Sequence, residues 1–428
     1  MENIMKAAER PTMGWNSFDC YGWSVTEEEF RQNVDCMADR LKDYGWEYAV
    51  LDFCWYTPGR DCEPNPNQDK NGNPRLAMDE YGRLIPSEDR FPSAKGGKGL
   101  KPLADYVHEK GLKFGLHIMR GVPRQAVMEK TVIKGTDITA DQIADKEHVC
   151  EWLNYMYGCD MEKAGAQEYL DSLFELYASW GVDYIKIDDL SRPYAAAEIE
   201  GCRRAIIKCG RNMVMSTSPG ATPLEMGEHI SKYADMWRIC KDFWDEWEML
   251  KRQFAYFHDW TPFRRPGSFP DGDMLPLGHL SLYGPMGEPR RSRFTEGEKR
   301  IMMSLWGIGR SPLMMGGNLP DNEEETWALL TNKDVIRMNQ YGCDPRQIYS
   351  DKERVIWYSD DENGQSHYLA VFNISEKDAD IQLTLPAACA GKIKVIRDVW
   401  EKTELPAEKF ASAVRIHSHD VKLYVLKG

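Results

Sequence analysis

At 428 residues the chain is too long for one small core and fits a large barrel followed by a smaller domain. A formal charge of -14 without any Lys/Arg run excludes nucleic acid and anionic membrane surfaces as natural partners and leaves a neutral substrate. No stretch approaches the roughly 20 apolar residues of a spanning helix, and Met1 to Arg10 lacks a hydrophobic signal region, so the expected location is cytoplasmic.

Along the chain one unit recurs: an amphipathic helix, a capping glycine, and a short strand ending in a polar residue. In the first, Thr26 and Glu29 make a capping box, Phe30, Val34, Met37 and Leu41 form one apolar stripe, and Gly45 caps the helix ahead of Tyr48-Ala-Val-Leu-Asp52. Gly111 then leads to Phe114-Gly-Leu-His117, Gly181 to Tyr184-Ile-Lys-Ile-Asp188, and Gly210 to Met213-Val-Met-Ser-Thr217. Later, Thr295 to Glu298 caps a helix through Ile301, Leu305 and Ile308, and Ser311 to Met315 reads as a closing strand. Helices alternating with apolar strands predict parallel strands joined by crossovers, and this many units predicts a (β/α)8 TIM barrel. The rival open doubly wound sheet is weakened by the lack of any glycine-rich phosphate loop. The barrel is expected over residues 1–340. From residue 341 to 428 alternating strands at Val355–Tyr358, Tyr368–Phe372, Ile381–Leu385 and Val421–Leu426, with a turn at Glu362-Asn-Gly364, predict a C-terminal antiparallel β-sandwich.

Two stretches, 57–99 and 121–165, exceed what a barrel needs, and each follows the C-terminal end of a strand, so each is expected to overhang the barrel mouth. Within the first, Asp69-Lys-Asn-Gly72 reads as a turn, because it lacks the distal glutamate of a calcium loop. The cysteines, 11 in number, form no C-x-x-C pair and no zinc pattern; they are read as reduced and mostly buried, with Cys54, Cys202 and Cys240 acting as small hydrophobes.

The chemistry is expected at the strand ends. Residues two apart on a strand share a face, so Lys186 and Asp188 point together, as do Arg238 and Asp242, and Asp52, His117 and Thr217 end the second, third and fifth strands. Two such carboxylates suit hydrolysis of a sugar acetal, where one attacks the anomeric carbon and the other protonates the leaving oxygen. Asp188 is the expected nucleophile, kept ionised by Lys186, and Asp242 the expected acid and then base. The plain alternative makes both aspartates structural partners of the lysine and arginine. Asp189 and Asp245 compete for these roles but are placed behind the site, and His117 is expected to line it. The aromatic run from Phe243 to Trp260 is expected to pack a helix, with one ring free to stack on a sugar.

Several motifs together resemble glycoside hydrolase family 27, the α-galactosidase and α-N-acetylgalactosaminidase group, over nearly the whole chain. They are Pro11-Thr-Met-Gly-Trp-Asn-Ser17, Leu51-Asp-Phe-Cys-Trp55, Gly181 to Asp188, Trp237-Arg238 ahead of Asp242, Asp271-Gly-Asp-Met-Leu275, Leu305-Trp-Gly307 and Ser311-Pro-Leu-Met314. The resemblance implies a retaining double displacement with Asp188 as nucleophile and Asp242 as acid/base, needing no metal and no cofactor. It also implies that Asp52 and Lys186 hold sugar hydroxyls, that Arg238 lies beside the 2-position, and that Asp273 supports the site. Four positions depart from the family pattern. Phe53 replaces the second of two aspartates that bind the 4- and 6-hydroxyls, Phe18 a tryptophan, His117 a tyrosine, and Leu190 a cysteine, which removes the associated disulfide.

After the fifth strand, galactosidases of the family carry a glutamate and a leucine, and N-acetylgalactosaminidases resemble Ser-x-x-Ala. Here Thr217 and Gly220 stand at the matching places, leaving room for a 2-acetamido group unless the 121–165 loop refills it with Trp152 or Tyr157. The expected function is therefore a retaining exo-α-glycosidase acting on terminal α-galactose or α-N-acetylgalactosamine of an oligosaccharide or glycoside. The alternatives are a family-related β-L-arabinopyranosidase and a carbohydrate-binding barrel without catalysis. A homo-oligomer stays open.

Overall fold

Eight short strands run parallel and curl into one sheet: β1 (Met13–Asn16), β2 (Tyr48–Leu51), β3 (Lys113–Met119), β4 (Tyr184–Asp188), β5 (Val214–Thr217), β6 (Met236–Arg238), β7 (Phe269–Asp271) and β8 (Leu313–Met315). This computed structural model describes residues 6–60, 75–150, 152–218, 220–284, 287–386, 389, 391–410 and 413–428, so the expected turn at Asp69 to Gly72 lies outside the described residues. Neighbouring strands follow chain order from β1 to β7, and β8 pairs with β1. The ring closes where Leu275 bridges Met315 in parallel and its N–H donates to the Met314 carbonyl at 2.7 Å. This is the expected TIM-like barrel.

The crossover helices are built as their sequences imply. In α1 (Glu27–Arg40), Thr26 and Glu29 complete the capping box, and Phe30, Val34 and Met37 are buried against the barrel. Gly45, at φ 89°, ends the short turn that follows and returns the chain to β2, a left-handed conformation that a Cβ would strain. Strand alternation divides the side chains into two sets. Tyr48, Val50, Tyr184, Val214, Met236 and Phe269 pack together inside the ring, whereas Ala49, Leu51, Ile185, Ile187 and Met215 belong to the larger core beneath the helices.

Beyond the helix Lys333–Tyr341 the chain switches to antiparallel strands. Six of them form one sheet and two more, Ala379–Gln382 and Ala413–Ile416, a second. Ile381, Leu383, Ile393, Ile396 and Leu426 fill the core of this C-terminal β-sandwich. The opposite face of the larger sheet, with Val355, Trp357, Phe372 and Leu423, continues the barrel's own core, and Phe254 meets Phe372 edge-on at 4.9 Å. The strand expected over Ile381–Leu385 stops at Gln382, and the strands Gly342–Ser350, Val395–Asp398 and Thr403–Pro406 were not anticipated. Their alternation is interrupted by charged and turn-forming residues, which hides a strand that is half exposed.

Among the described residues no helix is long and apolar enough to cross a membrane.

Candidate active site

A cavity of about 560 Å³ opens at the C-terminal ends of the barrel strands, where loops and strand ends converge in this fold. Asp188 and Asp242 both line it, together with Asp52, Phe53, Phe18, Lys186, Arg238 and Asp273. The two aspartates therefore share one opening.

On one side stand β2, β3 and β4. Asp52 accepts hydrogen bonds from Lys186 Nζ at 2.9 Å and Asn16 Nδ2 at 2.7 Å, and its backbone N–H donates to Ser17 Oγ. Burial alone would raise the Asp52 carboxyl, but the charges of Lys186 and His117 and these donors hold it well below the usual carboxylate range. Lys186 is correspondingly held charged: burial would lower its amine, yet Asp52 and then Asp188 raise it. The amine therefore contacts Asp52 rather than Asp188. The partner of Asp188 is His117, whose Nε2 lies 2.8 Å from one carboxylate oxygen. A carboxylate can only accept, so Nε2 carries the proton. The other oxygen of Asp188 is buried without a hydrogen-bond partner. His117 is fully buried and lies edge-on to Phe53 at 5.3 Å, so it supports Asp188 from beneath rather than lining the cavity.

The other side is built by the ends of β5 and β6. Arg238 donates to Asp242 at 2.6 Å, pairs with Asp273 at 2.5 Å, and reaches Ser218 Oγ at 3.2 Å. Asp273 also accepts the Phe243 N–H at 2.7 Å. The side chain of Asp242 is 59% exposed against 9% for Asp188, so one carboxylate stands in solvent and the other is largely withdrawn from it. Phe18 lies below Lys186, whose ammonium sits 5.7 Å from the ring centroid.

Thr217 departs from expectation. It pairs with Ile187 in register and, like Ile187 and Met215, faces the helix layer; it is buried and not among the cavity-lining residues. Ser216 pairs with Lys186 on the inner face, and Ser218 and Gly220 provide the cavity wall here. The alternation rule that placed Lys186 and Asp188 correctly would have placed Ser218 as well, had the strand been read from Ser216.

Other lining residues carried no usable signal in the sequence. Asp19 lies in the wall with one oxygen buried and unpaired, and burial, with Asp273 nearby, pushes its carboxyl well above the ordinary range. Trp23, Arg192, Lys241 and Met249 come from loops or helix starts whose positions depend on the tertiary fold. Of the aromatic run, Phe243 and Trp244 line the cavity, whereas Trp247 stacks on His419 at 3.8 Å and Phe257 and Trp260 are core residues. Asp189 pairs with Arg120 at 3.0 Å and Asp245 with Arg290 at 2.6 Å, both behind the site.

Among the described residues only the second of the two long excursions contributes to the cavity wall, contrary to the expectation that both overhang it, and this second excursion is more structured than a plain loop. It holds two short helices and a three-stranded sheet joining 122–123, 144–145 and 156–159. Trp152, 43% exposed, leans over Phe53 at 5.7 Å and lines the cavity; Tyr157 does not. The Leu76 N–H donates to Gln125 Oε1 at 2.9 Å, joining the two excursions, and the Tyr155 hydroxyl meets that of Tyr56, just ahead of the first, at 2.6 Å.

Known proteins resemble this chain over nearly its whole length. A family model described as α-galactosidase A matches residues 10–164 and 157–341, and one described as the α-galactosidase C-terminal β-sandwich domain matches 351–426. A β-L-arabinopyranosidase from Geobacillus stearothermophilus, solved in complex with arabinose, is 46% identical with a TM-score of 0.92, covering 99% of this chain and 98% of its own. A candidate α-N-acetylgalactosaminidase from Bacillus halodurans is 43% identical with a TM-score of 0.86, covering 100% and 99%. The α-galactosidase of rice is 25% identical over 97% of this chain and 84% of its own length.

Proposed function

This chain belongs to glycoside hydrolase family 27, the α-galactosidase family, and we propose that within it the protein is a retaining exo-glycosidase for terminal β-L-arabinopyranose. That sugar has the ring configuration of α-D-galactopyranose without the exocyclic hydroxymethyl group. The observation that carries the reading is Phe53. It lines the cavity next to Asp52, with its ring between His117 and Trp152, and offers no hydrogen-bonding group where the family resemblance puts the partner of a 6-hydroxyl. A hydroxyl pressed against these rings would lose its water without gaining a partner, at a cost of about 1–3 kcal/mol, whereas a ring lacking that arm presents only a CH2. The 46% identity to a β-L-arabinopyranosidase over nearly both whole chains supports the same choice over the galactosidases at 25%.

In this reading Asp188, oriented by His117, attacks the anomeric carbon while Asp242 protonates the departing oxygen. Asp242 then takes a proton from the water that releases the sugar. Asp52 and Lys186 grip the far hydroxyls of the ring, Arg238 the 2-position, and the apolar face rests on Phe18. The test is the ratio of kcat/KM on p-nitrophenyl β-L-arabinopyranoside to that on the α-D-galactopyranoside. A ratio of about tenfold or more is expected, the scale of discrimination a pocket achieves over one small group. Preference for the galactoside would overturn the reading.

One observation favours a second reading: Ser218 and Gly220 leave the wall beside Arg238 without bulky side chains, and a candidate N-acetylgalactosaminidase is 43% identical.

A further inference from the structure

The wall that decides between these sugars lies between the two carboxylates, at the end of β5. The Ser218 N–H donates to the Ile187 carbonyl at 2.9 Å, which sets residue 218 level with Asp188, and Arg238 Nη1 reaches the Ser218 hydroxyl at 3.2 Å. This strip therefore borders the anomeric carbon and its neighbour. Two residues on, Gly220 adopts φ +86° and contributes no side chain. The space is nonetheless filled. Arg192, from the loop between β4 and the helix Ala196–Cys209, lies across Gly220, with Nε 2.8 Å and Nη2 3.0 Å from where a Cβ on that glycine would sit. Arg192 also lines the cavity, and no described residue pairs with its guanidinium.

We propose that Arg192 sets selectivity at the 2-position: its guanidinium occupies the volume a 2-acetamido group needs and presents its donors to a free 2-hydroxyl. The small residues after β5 thus act as a seat for an arginine from the neighbouring loop, and the room they leave is not open to substrate. A guanidinium is planar and keeps its donors in a fixed fork, so it can lie flat on a glycine and still point N–H groups at a hydroxyl. The inference rests on the proposed reading in one respect, that a ring of galactose configuration sits with its 2-position beside Arg238.

Isothermal titration of the intact protein and of Arg192→Ala with three free sugars, galactose, N-acetylgalactosamine and L-arabinose, tests it. The wild type is expected to bind galactose about tenfold or more tightly than N-acetylgalactosamine, and the variant to narrow that gap to about threefold or less. Galactose and N-acetylgalactosamine differ only at the 2-position, so this comparison is blind to Phe53. Equal binding of the two by the wild type, or a gap that survives in Arg192→Ala, overturns the inference. Tighter binding of galactose than of arabinose overturns the arabinopyranoside reading alone, and binding of none of the three overturns both. Thermal melting confirms that the variant is folded, as expected for an exposed side chain without partners.

Discussion

On the β2 to β4 side of the cavity the carboxylates are buried and bonded: Asp52 to Lys186 and Asn16, Asp188 to a fully buried His117. On the β6 side Asp242 stands more than half exposed, attached by one arginine that it shares with Asp273. The difference matches what the two halves of an acetal cleavage need. A nucleophile gains from a fixed direction and few waters, since its geometry at the anomeric carbon sets the barrier. A group that gives and takes a proton must meet both the leaving oxygen and incoming water, so it belongs where solvent arrives.

The comparison breaks most sharply at Asp188. Asp188→Asn is expected to lower kcat by on the order of 10⁴-fold or more while leaving the affinity for free sugar within a few-fold, as measured by steady-state kinetics and titration calorimetry. Substantial residual turnover would move the nucleophile elsewhere. Asp242→Asn should cost about 10²- to 10⁴-fold in kcat/KM with a sugar leaving group and far less in kcat/KM with p-nitrophenolate, which departs without a proton. Equal losses on the two substrate types would erase the division between the walls.

The smallest effect sharpens the buried side. Lys186→Met leaves the buried Asp52 carboxylate with Asn16 and the Phe53 N–H but without the cation bonded to it, and is expected to destabilise the fold by about 3–5 kcal/mol in urea titrations near neutral pH. The folded state depresses the Asp52 pKa, so its contribution is full above the ordinary value near 4 and fades as pH falls toward the folded one. The deficit of Lys186→Met relative to wild type should therefore shrink with acidification, because a protonated Asp52 no longer needs the lysine. A deficit independent of pH would mean that the lysine serves packing alone.

Much of this side was legible in the sequence, and less of the other. Lys186 and Asp188 sit on one strand, where alternation alone fixes a shared face, and Asp52 ends a strand of the same repeating unit. Thr217 was misjudged by one residue, which on a strand inverts the face, and Ser218 took its place. His117 was read as the end of its strand, but β3 runs on to Met119, and its depth depends on Phe53 covering it from another strand. Trp152 was named as a pocket candidate and does line the cavity, whereas Arg192 and Trp23 come from connections whose course is set by tertiary contacts, and nothing local distinguishes them from ordinary surface residues. The sandwich was legible where apolar residues recur along a strand, as at Tyr368–Phe372 and Val421–Leu426, and not at Gly342–Ser350 or Thr403–Pro406, where charged and turn-forming residues interrupt them.

The hydrogen bond from the Leu76 N–H to Gln125 fastens the two excursions to each other, and the hydroxyls of Tyr56 and Tyr155 tie the root of the first to the second. Arg120 fastens the second excursion, donating to the His148 carbonyl while pairing with Asp189 behind Asp188. Chimeras that borrow only one of the two excursions from a relative would inherit half of a mated joint. Redesign of what this enzyme admits must therefore exchange both segments together, or confine itself to single side chains on the rim.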